Sequence, residues 1–154
     1  MKLRILIFIF ACLTLATGCS GTAKGLEIAE ENHTDMSKIT ISAAGKAITA
    51  TLSQTAAAKA FANKLKEAPL TIELEEYGGF EKVGPLGFTL PRSDESIAGV
   101  PGDIFLYAGN QITIFYGSNS YSYTRLGKVD GLTQSELKAF LGSGDITVTF
   151  SMDQ

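Results

Sequence analysis

From Ser37 onward the chain alternates apolar and polar residues in short runs, the period of half-buried strands. Residues 38–42 place Ile39 and Ile41 on one face, and residues 47–52 repeat the pattern after an Ala43-Ala44-Gly45-Lys46 turn, so the two runs predict a hairpin. Ser53 or Thr55 then caps a helix reaching about Lys66, with Ala57, Phe61 and Leu65 on one face and Pro69 beyond its end. Residues 70–76 read as a third strand, with Leu70, Ile72 and Leu74 inward and Thr71, Glu73 and Glu75 outward. A turn over residues 77–82 leads to a fourth strand at 86–90 and a Ser-, Asp-, Gly- and Pro-rich loop at 91–102. Residues 103–107 and 111–116 are the fifth and sixth strands, joined by the tight turn Ala108-Gly109-Asn110. A polar loop at 117–121 precedes a seventh strand at 123–129. Thr133-Gln134-Ser135-Glu136 has the form of a capping box and opens a second helix that buries Leu137, Phe140 and Leu141 and stops at Gly142. Ile146, Val148 and Phe150 alternate in an eighth, closing strand.

Eight short strands and two short helices predict a mostly β fold closed into a barrel, which leaves no exposed sheet edge. The helices would plug its ends. This order of elements, together with the stretch PGDIFLYAGNQITIFYG over residues 101–117 and YTRLGKV over 123–129, resembles the small bacterial cyclophilin-like proteins. The opening run 39–52, followed by an alanine-rich helix, is similar to that family too, and the resemblance extends over residues 38–152. It implies a closed eight-stranded cyclophilin-like barrel over residues 37–154. It does not carry prolyl isomerase chemistry with it. The Phe-His-Arg run, the downstream Gln-Gly-Gly-Asp, and the late tryptophan and histidine of the isomerase groove do not occur here.

The N-terminal part reads differently. Lys2 and Arg4 precede an apolar run from Ile5 to Ala16, and small residues lead to Cys19. This is the pattern of a secretory signal peptide over residues 1–18, too short to span a bilayer. Leu15-Ala16-Thr17-Gly18-Cys19 resembles the lipobox of bacterial lipoproteins, with Ala16 where leucine is commoner. The resemblance implies diacylglyceryl transfer to Cys19, removal of the signal, and a lipidated tether over residues 19–36. Seventeen residues of flexible chain follow that cysteine, with a root-mean-square span of about 20–25 Å. The expected location is extracytoplasmic, on a membrane of the bacterial cell envelope.

Loss of Lys2 and Arg4 with the signal leaves 11 of the 13 bases against 16 acids, a net −5. A nucleic-acid partner, which calls for a basic surface, is therefore not expected. Cys12 departs with the signal and Cys19 is consumed by lipid, so no disulfide staples the domain and an apolar core must stabilise it. A monomer is expected.

His33, the single histidine, lies in the tether, so no Ser-His or Cys-His nucleophile pair is available. Zinc would need several His or Cys ligands. Asp94, Glu95 and Asp103 flank the long loop without the dense spacing of a calcium site. No catalytic residue, metal or cofactor is assigned. The acids Glu73, Glu75, Glu76 and Glu81 read as a solvated face. The remaining lead is a group of aromatic and basic residues between the fourth and seventh strands: Phe88, Arg92, Phe115, Tyr116, Tyr121, Tyr123 and Arg125. An outward aromatic beside Arg125 would hold a peptide, protein or small-molecule ligand by stacking and cation–π contact. The same residues would equally pack the barrel exterior, with only one of Phe115 and Tyr116 in the core and Arg125 paired to Glu73 or Asp103. The expected function is a membrane-tethered binding module. The alternatives are a divergent prolyl isomerase using Arg92 or Arg125, and an accessory to a flavodoxin-type redox protein.

Overall fold

The computed structural model describes residues 38–153; the expected signal peptide, Cys19 and the tether lie outside the described residues. Nine strands and two helices are formed among them. The order is β1 (Lys38–Ala43), β2 (Lys46–Leu52), α1 (Ala56–Glu67), β3 (Leu70–Tyr77), β4 (Glu81–Pro85) and β5 (Glu95–Gly99). It continues with β6 (Asp103–Tyr107), β7 (Gln111–Phe115), β8 (Asn119–Val129), α2 (Gln134–Leu141) and β9 (Ile146–Met152). The strands follow the order β2-β1-β9-β3-β4-β7-β6-β8, and β2 pairs again with β8, closing a ring of eight. The fold is therefore the mostly β ring of eight strands with two helices that the sequence predicts. The ninth strand, β5, adds to the outer side of β8.

Local chemistry explains most element ends. The β1–β2 turn places Ala44 and Gly45 at positive φ, the backbone of a tight hairpin turn. Thr55 caps α1 by accepting from the Ala58 amide at 3.1 Å. Ala68 is extended because it precedes Pro69. The capping box of Thr133 and Glu136 is formed, and Gly142 ends α2 at a φ of 66°. In β6 and β7, Ile104, Leu106, Ile112 and Ile114 join Ile39, Ile41, Leu74, Leu126, Val148 and Phe150 in the main core, along with the apolar faces of α1 and α2.

Three sequence-based expectations are corrected. The fourth strand is at 81–85, not 86–90. Gly78 and Gly79 turn the chain so tightly that pairing with β3 resumes at once, Tyr77 opposite Glu81. The Glu-Lys-Val-Gly-Pro sequence of this strand has no hydropathic alternation, whereas Leu86 and Leu90 do alternate but fill the core from a non-strand segment. The supposed loop at 91–102 contains β5, whose single bulky apolar residue, Ile97, gave no periodic signal. Its partner is the first part of β8, residues 119–123, so the seventh predicted strand begins four residues early.

A second, smaller core lies on the other face of these strands. Ile97, Phe105, Phe115 and Tyr123 are buried together there, with Phe80 and Tyr107 packed against them. Phe115 and Tyr116 are consequently both buried, one in each core. Gly99 permits this packing, since a Cβ there would lie 2.6 Å from a Phe115 ring carbon.

Candidate functional site

The second core supports an outward cleft of about 410 Å³. It is lined by Glu75 and Tyr77 of β3, Glu81 and Val83 of β4, Tyr107 of β6, Gln111 of β7, and Asn119, Tyr121 and Tyr123 of β8. Within each strand these residues are two apart, as one face of a pleated sheet requires. The cleft is thus the outer face of strands whose inner face forms the main core.

Its walls are aromatic and mutually braced. The rings of Phe105 and Tyr123 stack at 4.9 Å, and Phe115 meets both edge-on at 5.2 and 5.5 Å. Tyr121 leans on Tyr107 at 5.9 Å and on Tyr123 at 5.8 Å. Tyr77 abuts Phe80 at 6.1 Å. Burial grades along the wall, from Tyr123 at 3% exposed to Tyr121 at 54% and Tyr77 at 60%. Burial, then the nearby Glu81 charge, pushes the Tyr123 phenol up to about 12, while a hydrogen bond with Asn119 opposes the shift.

Glu81 is the chemically unusual member. It is 5% exposed, and its Oε2 has no hydrogen-bond partner. Burial raises its carboxyl to about 7, opposed by the adjacent Thr113 hydroxyl. The expectation of a solvated acidic face therefore fails at Glu81. Glu76 stays exposed, but its carboxylate turns to the other face and binds Lys82 Nζ at 2.5 Å and the Tyr116 hydroxyl.

Of the residues singled out in the sequence, the cleft unites Tyr121 and Tyr123, with Phe115 packed beneath them. The others do not line it. Phe88 packs on the main core with Lys64 Nζ 5.9 Å over its ring. Tyr116 belongs to that same core. Arg92 bonds Asp94, which also accepts from Thr124 at 2.5 Å and is held below the usual carboxylate range, first by Arg92 and then by Thr124. Arg125 lies 5.6 Å over the Phe105 ring rather than beside Glu73 or Asp103, and Asp103 pairs with Lys128 at 3.0 Å. Sequence reading missed Glu81, Tyr77 and Tyr107. The Tyr77↔Glu81 pairing was implicit in the Gly78-Gly79 turn. No cluster of three His, Cys, Asp or Glu suited to a metal is present among the described residues.

The model of the cyclophilin-like family matches residues 41–151. The chain belongs to the cyclophilin-like family. A solved structure with the same fold is the solution structure of a hypothetical protein from Archaeoglobus fulgidus. It superposes with a TM-score of 0.58 at 11% identity, covering 75% of this chain and 94% of that one. No curated protein matches the chain. At that identity the likeness extends to the fold alone. The cleft of this cyclophilin-like domain has to be read from its own residues, because function belongs to the site rather than to the fold.

Proposed function

We propose that this cyclophilin-like domain is a non-catalytic binding module for a small ligand or a peptide side chain. On this reading, the lipid on Cys19 holds the domain to a membrane outside the cytoplasm. The observation that carries the binding role is the braced tyrosine cleft around a buried carboxyl with a free oxygen. A concave, aromatic site with a few convergent polar groups is the usual form of a ligand pocket. The two arginines that a prolyl isomerase could use do not line it: Arg92 is tied to Asp94 and Arg125 covers Phe105. The lipobox-like run ending at Cys19 supports the anchoring. Two or three acyl chains hold a protein at a membrane far more firmly than one.

The binding role is tested by thermal melts of the purified protein against a panel of amines, carboxylates, aromatics and short peptides. A ligand that binds only the folded state raises Tm with concentration, by about 2.7 kcal/mol of added stability at 100 times Kd. Tyr121→Ala should abolish that rise. Turnover of an Xaa-Pro peptide that is lost in Arg92→Ala or Arg125→Ala would replace this reading with the isomerase. Anchoring is tested by palmitate labelling in growing bacteria, with incorporation expected into the native chain and not into Cys19→Ser.

A further inference from the structure

We infer that the cleft accepts an organic cation, an alkylated ammonium group, held among the rings of Tyr77, Tyr107 and Tyr121 above the buried Tyr123, with the Glu81 carboxyl as counter-charge. The inference rests on the cleft being a ligand site and names what that site selects. Aromatic faces carry the negative part of the ring quadrupole and attract a weakly hydrated cation more strongly as water is excluded. Tyr107, Tyr121 and Tyr123 meet at interplanar angles of 60–63°, so their rings form a corner instead of a flat stack. Glu81 lies at the same cleft, nine-tenths buried, with Oε2 unpartnered. No lysine or arginine lines the cleft, and no salt bridge among the described residues engages Glu81. Lys82, its neighbour in sequence, is turned to the opposite face and bound to Glu76. A buried acid that lines a cleft with no cation of its own supplies a counter-charge to an external cation whenever it is ionised.

The chemistry excludes the main competitors for that place. A divalent metal such as calcium takes 6–8 oxygens, and only two carboxylates, Glu75 and Glu81, line the cleft. An anion would meet those two acids and no base. The volume, about 410 Å³, suits a compact headgroup or a modified side chain.

The charged and titratable groups around Glu81 are Glu75 and Tyr77 on β3, Tyr107 on β6, and Tyr121 and Tyr123 on β8. Glu81 is the one whose ionisation is drawn to about 7. Cation affinity should therefore fall about tenfold from pH 8 to pH 6 as this carboxyl takes up its proton.

Four of the chain's five tyrosines line the cleft and the chain has no tryptophan, so tyrosine fluorescence reports the site directly. The purified protein is titrated at pH 8 with choline, with its neutral isostere 3,3-dimethylbutan-1-ol, with benzoate and with calcium. The expected result is a saturable change with choline, at least about tenfold weaker with the isostere, and none with benzoate or calcium. Glu81→Gln should weaken choline binding and flatten its pH dependence. Tyr121→Ala, at an exposed position that the fold does not depend on, should weaken it too. Equal affinity for choline and the isostere, or choline binding untouched in both variants, overturns the cation inference while leaving the cleft a binding site. Silence from all four probes overturns the cation inference. If the wider melt panel is silent too, the binding role falls with it.

Discussion

Glu81 and Lys82 adjoin in the chain and are buried on opposite faces of β4, Glu81 lining the cleft with its Oε2 unpartnered and the Lys82 ammonium bound to Glu76 at 2.5 Å. Two opposite charges one residue apart do not neutralise each other, because a strand sends successive side chains to opposite sides. The inner charge is satisfied: Lys82 also donates to the Gly144 carbonyl, joining β4 to the segment before β9. The outer one is left to the cleft.

Removing Lys82 should be costly. Lys82→Ala removes the shared donor of the Glu76 carboxylate and the Gly144 carbonyl, and breaking a fully buried pair costs about 3–5 kcal/mol. Glu76 keeps some solvent contact, so the lower end is expected. Urea unfolding measures it. A loss below about 1 kcal/mol would show that the network contributes little.

Glu81 should make stability fall as pH rises. Its folded carboxyl titrates near 7, above the ordinary value of 4.5. The native state therefore holds the proton more tightly than the unfolded chain. Full stability is present below about 4.5, declines between 4.5 and 7, and is flat above, with an upper figure of about 3 kcal/mol. Glu81→Gln should remove that decline. Urea melts at pH 5 and pH 8 decide the matter, and an equal pH slope in both proteins would contradict the burial argument.

Closure of the ring depends on a missing side chain. At Gly127, opposite Leu52 in the β2–β8 pairing, an added Cβ would lie 2.5 Å from the Thr51 carbonyl oxygen. That neighbour is backbone and cannot swing aside, so Gly127→Ala should cost about 1–3 kcal/mol. Circular dichroism melts provide the measurement. An unchanged Tm would mean that β2 and β8 tolerate separation.

The tyrosines should divide by role. Tyr123 is buried in the small aromatic core and Tyr121 projects from it. Truncating Tyr123 to Ala should cost about 3–5 kcal/mol, as for other large buried side chains, whereas Tyr121→Ala should stay within about 0.5 kcal/mol. Comparable losses in the two would mean that the wall does not grade from core to cleft.

Ala44 offers a stabilising change. It sits at a φ of 48° in the β1–β2 turn, a conformation that asparagine tolerates better than alanine. Ala44→Asn should raise stability by about 0.5–1 kcal/mol in denaturant melts. A loss would show that the turn is held by something other than its own backbone preference.

The hairpin at 38–52, both helix caps, the Ala108-Gly109-Asn110 turn and the cyclophilin-like order of elements were readable along the chain, since each is encoded within a few neighbouring residues. Period-2 alternation marks a strand only where one face is apolar and the other polar. β4 carries Glu81 and Lys82 on its two faces and β5 carries one large apolar residue, so neither announced itself. Tyr121 and Tyr123 were picked out as aromatics, but Tyr77, Glu81 and Tyr107 reach them only across cross-strand pairing. Local pattern settles which segments become strands, because it depends on residues in contact along the backbone. Which of those strands lie side by side, and whether a glutamate between them meets water, a lysine or an empty cleft, follows from packing between residues far apart in the chain.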